Sequence, residues 1–172
     1  MTCAVTDGHA VLPAGVSAAV AAGARLVDLG SVSADVVASV RASQPGIFVW
    51  ASGQGAAAAD LTSDAAIAAS TGAALVCHGR DAALESGISR DSILVAAEPA
   101  QVPALAAEGW AVLVNADTGD GEPGAVAIAA VSAWAGARVV RTRNVAAVRQ
   151  GIDMVESIRG TRPPARATRG LA

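Results

Sequence analysis

The sequence predicts a closed (β/α)8 barrel, or TIM barrel, built as one compact α/β domain with shortened loops. Strand-like apolar runs alternate with alanine-rich helical runs along all of the 172 residues. Most of the strand-like runs are mainly apolar and end in a polar residue, as parallel strands buried on both faces do. There are eight of them, at residues 3–6, 25–30, 46–51, 57–62, 73–78, 92–97, 110–115 and 138–143.

Helices are predicted between these strands from their capping residues. Proline near the start and glycine just past the end bound the first helix, and Ser33, Ser63 and Asn144 are the predicted N-caps of three others. The last helix carries one apolar face. The predicted helices cover residues 13–22, 33–43, 63–70, 81–86, 99–108, 124–135 and 145–159.

One helix is missing from this series. Only Gly53, Gln54 and Gly55 separate the third strand-like run from the fourth. A parallel connection normally needs a dozen or more residues. The sequence therefore predicts a barrel whose third helix is lost, in line with a chain well below the roughly 250 residues of a typical barrel.

Composition excludes several classes of function. The chain has no lysine and no tyrosine, so neither a Schiff-base lysine nor a tyrosine acid can operate. Its arginine-only basic set is also what a biased genomic base composition would produce. A net charge of −3 argues against a nucleic-acid surface. With no signal-peptide pattern and no apolar stretch long enough for a membrane span, we expect a cytoplasmic protein.

The domain is predicted to cover residues 1–159, and residues 160–172 form an arginine- and proline-rich segment. We expect that segment to be a disordered tail, with a partner-binding arm as the alternative. Cys3 and Cys77 are too few for a disulfide framework and fall on predicted strands, where buried reduced thiols are expected.

Polar residues at the predicted strand ends form the candidate site, because the chemistry of such barrels lies at the carboxyl ends of the strands. Each could instead be a capping or solvated group, and each carboxylate could simply pair with an arginine, for instance Asp60 with Arg141. Arg141 and Arg143 lie on one face and could clamp an anion or neutralise the acidic residues. The predicted ligand-binding residues are Asp28, Asp60, His78, Glu98, Asn115, Arg141 and Arg143, with Asp7 and Asp117 at the same edge.

Two blocks of the chain resemble dihydropteroate synthase, the pterin-binding barrel of folate biosynthesis. Residues 21–30 read AAGARLVDLG, similar to the family's second unit, and residues 126–137 with 140–145 read VAIAAVSAWAGA and VRTRNV, similar to its last helix–strand stretch. Weaker likeness lies at residues 75–78 and 87–95. By this resemblance Asp28 matches the second-strand motif, Asp60 the aspartate of the family's Asn-Asp pair, and Arg141 its anion-binding arginine.

The same resemblance shows how far the chain departs from the family. No lysine follows the seventh strand, where the family uses one, and Ala59 stands in place of the pair's asparagine. Further replacements are Ala51 for the third-strand aspartate, Ala96 or Ala97 for the sixth-strand aspartate with Glu98 as a shifted substitute, Arg143 for a histidine, and Ala4 near the first-strand asparagine.

These replacements favour a degenerate relative that lacks ordinary synthase activity and binds a pterin-like small molecule or a partner, as a pseudoenzyme without metal or other cofactor. The alternative is a small active transferase that joins a pterin pyrophosphate to p-aminobenzoate, using Asp28, Asp60 and Arg141, and only that reaction would call for Mg²⁺. The resemblance also implies a homodimer through the last two helices.

Overall fold

The computed structural model describes residues 2–5, 13–118 and 121–163. The strands are β1 Thr2–Val5, β2 Leu26–Ser31, β3 Phe48–Ser52, β4 Leu61–Thr62, β5 Ala74–His78, β6 Ile93–Ala96, β7 Ala111–Asn115 and β8 Val139–Thr142. The α-helices are α1 Pro13–Ala21, α2 Ala34–Ser43, α3 Ala65–Thr71, α4 Arg80–Glu85, α5 Val102–Ala107, α6 Gly121–Ala135 and α7 Val145–Ile158. Asp7 and residues 164–172 of the predicted tail lie outside the described residues.

The eight strands are parallel and form a closed barrel in sequence order. Closure is made between the first and last strands, where Thr2 of β1 lies opposite Val140 of β8 and Cys3 opposite Arg141. The predicted (β/α)8 fold is therefore confirmed. All carboxyl ends of the strands meet at one end of the barrel, which we call the mouth, and all amino ends meet at the other.

The third connection contains a six-residue 3₁₀ segment, Gly53–Ala58, in place of an α-helix. Gly53 has a φ of +62°, and a Cβ added there would stand 2.6 Å from the Ser31 Oγ. Gly55 donates its N–H to the Val32 carbonyl at 2.7 Å. The missing third helix is thus confirmed, and glycine lets the short replacement press against the end of β2.

The predicted fourth strand is wrong in extent. Residues 57 and 58 belong to the 3₁₀ segment, and β4 itself is only Leu61–Thr62. The chain must return from the carboxyl end of β3 to the amino end of β4. This return uses residues 53–60, so β4 cannot begin before Leu61. Asp60 consequently precedes the strand instead of ending it.

Side chains alternate between the barrel interior and the helices along each strand, as the period of two requires. Leu26, Val76, Leu94, Leu113 and Val139 form one buried cluster inside the barrel, with Trp50 packed against it. The alternate residues of the same strands pack outward under the helices. These helices lie close because their facing residues are small: a Cβ on Gly151 of α7 would stand 3.0 Å from Val126 Cγ1 of α6.

None of the three predicted N-cap residues caps its helix with its side chain. Asp64, not Ser63, caps α3, and its Oδ1 accepts the N–H groups of Ala66 and Ile67 at 2.9 and 3.0 Å. Ser33 and Asn144 occupy N-cap positions without a side-chain capping bond. Within the described part of the chain, no helix is long and apolar enough to cross a membrane.

Candidate functional site

Four side chains project into the barrel interior at the mouth: Asp28, Trp50, Asn115 and Arg141. Asp28, Asn115 and Arg141 each lie two residues beyond an interior residue of the same strand, and Trp50 itself packs against that interior cluster, so all four share the inward face. Neighbouring members also lie at similar levels along the barrel, because Asp28 is opposite Trp50 in the register of β2 and β3. Asn115 lies opposite Arg141 in that of β7 and β8. The barrel thus places Asp28, Asn115 and Arg141 on the inward face at the mouth, where Asn115 Oδ1 accepts the Asp117 N–H at 3.2 Å.

An ion pair between Asp28 and Arg141 is the centre of this site. Nε of Arg141 donates to Oδ2 of Asp28 at 2.9 Å, and Nη2 lies 2.8 Å from the same oxygen as an ion pair. Oδ1 of Asp28 accepts the N–H of Gly30 at 3.0 Å. The aspartate side chain is 8% exposed and the arginine side chain 30% exposed, so the pair is largely shielded from water.

Trp50 completes the interior surface at the mouth. The centre of its ring lies 5.6 Å from the guanidinium carbon of Arg141, within the range of a cation–π contact. Sequence reasoning missed this residue as a site component. The signal was available, since Trp50 lies two positions after Phe48 and one before the buried Ala51, on the inward face of β3.

Arg143 binds a different aspartate, beyond the end of β8. Asp117 Oδ2 accepts the backbone N–H of Arg143 at 2.7 Å and its Nε at 3.3 Å. Oδ1 of the same aspartate accepts the Thr142 hydroxyl at 2.7 Å. Each of the two arginines therefore neutralises one aspartate of the mouth. These contacts anchor the start of the acidic loop at residues 117–122, of which residues 119–120 lie outside the described residues.

The placement predicted for Asp60 is wrong. It lies at the amino end of the barrel, where Oδ1 pairs with Nη2 of Arg41 at 3.0 Å and Oδ2 accepts the Val49 N–H at 2.8 Å. It lines an open groove of about 760 Å³ together with Phe48, Ala74 and Ala111, the first residues of β3, β5 and β7. The physical cause is the 3₁₀ segment, which moves Asp60 ahead of β4. Its partner is Arg41, not Arg141.

His78 and Glu98 stay at the edge of the mouth. His78 is the last residue of β5 and exposed, and it lines a side groove with Arg80 and Glu108. Glu98 is exposed and caps the 3₁₀ turn Pro99–Gln101, whose Gln101 Oε1 accepts the Glu98 N–H at 3.0 Å. Among the described residues, no three His, Cys, Asp or Glu side chains are grouped to hold a metal ion.

Cys77 faces away from the site. It is buried in the cluster between β5 and the helices, with Leu75 and Val95 as neighbours. Burial raises the pKa of its thiol, because the thiolate would lose its hydration. The expected buried reduced thiol is confirmed for this cysteine, and its outward position separates it from the mouth.

Comparison with known protein sequences identifies relatives of this chain. The chain is 35% identical to a Mycobacterium leprae protein named inactive dihydropteroate synthase 2 over 124 residues, covering 56% of this chain and 42% of the relative. The proteins of the same name in Mycobacterium tuberculosis match at the same identity, with 38% of the relative covered. The chain thus spans less than half the length of these relatives. No family model matches it.

Solved structures give the same answer for the fold. The structure of Mycobacterium tuberculosis Rv1207 superposes with a TM-score of 0.77 and 26% identity, covering 95% of this chain and 94% of that one. A Yersinia pestis DHPS structure with a pterine-sulfa conjugate gives a TM-score of 0.79 at 16% identity, with 94% of each chain covered. The resemblance to dihydropteroate synthase, in a shortened and degenerate form, is confirmed.

Proposed function

We propose that this degenerate dihydropteroate synthase-like chain is a cytoplasmic pseudoenzyme that lacks ordinary synthase activity and uses the mouth of its barrel to bind a pterin-like small molecule. One observation carries the loss of activity: by the resemblance, several of the groups that the family applies to its leaving group and its pterin ring are replaced, although Asp28 and Arg141 are kept. The names of the mycobacterial relatives, which call those proteins inactive, support the same conclusion.

The replaced groups matter because the reaction develops charge that the protein must stabilise. Displacing pyrophosphate calls for cationic groups around the departing oxygens, and the chain contains no lysine to supply one. By the resemblance, Ala51 stands in place of the third-strand aspartate. Asp60, a candidate carboxylate by sequence, lies at the opposite end of the barrel. Each tenfold in rate corresponds to about 1.4 kcal/mol, so losing several such groups removes many orders of magnitude.

A synthase assay tests this part of the proposal. Purified chain supplied with pterin pyrophosphate, p-aminobenzoate and Mg²⁺ should form no dihydropteroate above the level seen without protein. Product that appears with the wild-type chain and disappears in Asp28→Asn would overturn the proposal and establish the active transferase instead. Product that persists in Asp28→Asn would point to a contaminating enzyme, and a preparation free of it would then decide.

Ligand binding at the mouth is supported by the groups that converge there. The Asp28 carboxylate is an acceptor for the donor edge of a guanidine-like ring, Asn115 offers an amide, and Trp50 offers an aromatic face. Calorimetric titration with a reduced pterin should give saturable heat that Asp28→Ala removes. Asp60→Ala serves as the matched control, because that carboxylate lies at the other end of the barrel. Absence of heat at millimolar pterin would count against this ligand class.

The last two helices support association into a homodimer. Val131 and Trp134 of α6 and Met154 and Ile158 of α7 are each more than half exposed, and all four are apolar. An apolar stripe shared by two adjacent helices is typical of a protein interface. Sedimentation should show a dimer that Val131→Asp converts to monomer, whereas a monomeric wild-type chain would end this part of the proposal.

A further inference from the structure

Arg141 holds the acceptor on which a guanidine-like ligand would depend. Its Nε donates to Oδ2 of Asp28, its Nη2 lies at ion-pair distance from the same oxygen, and Oδ1 accepts the Gly30 N–H. The guanidinium also lies against the ring of Trp50. Carboxylate and aromatic surface, the two features that suit a flat donor-bearing ligand, are thus engaged by a side chain of the protein itself.

The ion pair is built across an intervening strand. β1 lies between β8 and β2, with Arg141 opposite Cys3 and Asp28 opposite Val5 in its two registers. Two strand spacings amount to roughly 10 Å, which a long arginine side chain bridges through the barrel interior. Arg143, the neighbouring inward candidate, is held by Asp117 instead. Arg141 therefore reaches Asp28 over the width of β1 and lies across the interior.

Chemically, an arginine head group and a 2-amino heterocycle present the same donors. Each offers adjacent N–H groups in one plane, and such a planar fork matches a carboxylate better than an ammonium ion does. We propose that Arg141 is a built-in occupant of the mouth, so that a ligand with a guanidine-type edge binds Asp28 only by displacing it. Removing the Arg141 side chain then creates a site for small planar guanidinium cations between Asp28 and Trp50.

This inference deepens the proposed function and rests on it for the identity of the natural ligand, but its main test does not use a pterin. Arg141→Ala should melt at a lower temperature than wild type, and millimolar methylguanidinium should raise its melting temperature by several degrees in a saturable way. Methylammonium, which has the charge without the planar fork, should have no such effect. The double variant Asp28→Asn/Arg141→Ala should not respond to either cation.

Arg149→Ala is the matched control. Arg149 is 29% exposed, close to the 30% of Arg141, and also pairs with an aspartate, Asp153, but on the outer helix α7. Neither this variant nor wild type should be stabilised by methylguanidinium. Equal stabilisation of Arg141→Ala and Arg149→Ala, or an equal effect of methylammonium, would overturn the inference.

A reduced-pterin titration separates this inference from the proposed function. Arg141→Ala should bind the reduced pterin about tenfold more tightly than wild type does, because the pterin no longer has to displace a charge-assisted contact. Weaker binding by the variant would overturn the inference and leave the proposed ligand standing. If neither chain binds pterin, the proposed ligand fails and the methylguanidinium result alone decides the role of Arg141.

A variant that fails to fold would leave the wild-type chain to carry the test. In ¹⁵N spectra, the Arg141 Nε–Hε signal should be sharp and protected from exchange with water, and Asp28→Asn should shift it and speed its exchange. A signal that already exchanges as fast as that of the exposed Arg143 would overturn the inference.

Discussion

The two ends of the barrel each hold an aspartate paired with an arginine, yet the two pairs differ in what surrounds them. At the mouth, Asp28 is nearly buried and is hydrogen-bonded and ion-paired to Arg141 inside the barrel. At the amino end, Asp60 is more exposed, at 29%, and pairs with Arg41 of α2 on the outer layer. The surroundings of a carboxylate in this barrel therefore depend on which end of the barrel it occupies and on which way its side chain faces.

The largest expected effect is a difference in stability between these two pairs. Asp28→Ala leaves the Arg141 guanidinium inside the barrel without its carboxylate and should lower the free energy of unfolding by about 3 kcal/mol. Asp60→Ala removes a partly exposed pair and one backbone acceptor and should cost about 1 kcal/mol. Urea unfolding of both variants measures the difference. Equal losses would show that the two pairs share one environment and would break the comparison.

A second test compares two glycines, one at each end. Gly53 follows β3 at the mouth and Gly72 precedes β5 at the amino end, and both have positive φ, +62° and +77°. Gly72→Ala should cost about 1 kcal/mol, because a Cβ there meets nothing within 4 Å and only the backbone is strained. Gly53→Ala should cost about twice as much, since its Cβ would approach the Ser31 Oγ to 2.6 Å.

Thermal unfolding of the two glycine variants supplies the measurement, and Ser31→Ala in the Gly53→Ala background is its control. Removing the Ser31 hydroxyl should recover the part of the loss that comes from the clash. If Gly53→Ala and Gly72→Ala are equally stable, the 3₁₀ segment is not pressed against β2 as closely as described.

The barrel itself could be predicted because its signals are local. Each strand lies in a mainly apolar run, most helices end just before a glycine, and the short Gly53–Gly55 spacing indicates the lost helix. The position of Asp60 could not be predicted in the same way. Residues 57 and 58 belong to a 3₁₀ segment whose Gly53 and Gly55 pack against Ser31 and Val32, and this packing joins residues that are distant in sequence. Run length alone favoured the strand.

The sequence could predict that aspartates of the site pair with arginines, but not which aspartate pairs with which arginine. The expectation that carboxylates pair with arginines is confirmed, with Asp28 rather than Asp60 as the partner of Arg141. That choice is made by barrel closure, which sets β8 two strands from β2, and closure is a property of the whole chain. The sequence does not predict Trp50 as a site residue, because an aromatic residue in a strand is typical of the core. In the structure Trp50 belongs to both the core and the mouth.

The smallest expected effect concerns Cys77, a titratable group that lies at neither end. Burial raises the pKa of its thiol above the ordinary value of 9.0, so the folded chain keeps a proton that the unfolded chain releases. The stabilising effect of the neutral buried thiol is fully present below that ordinary pKa. As pH rises above it, the unfolded state is favoured and the free energy of unfolding falls.

The free energy of unfolding should fall because of Cys77 by at most about 1.4 kcal/mol per pH unit, which is the limit for one proton. Urea unfolding of wild type and Cys77→Ala from neutral pH to pH above 9 isolates it, because titration of all other groups is common to both chains. The difference in free energy between the two should stay constant at neutral pH and shrink at alkaline pH. A difference independent of pH would mean that the thiol is hydrated, and that the outer layer over β5 is as open to water as the two ends of the barrel.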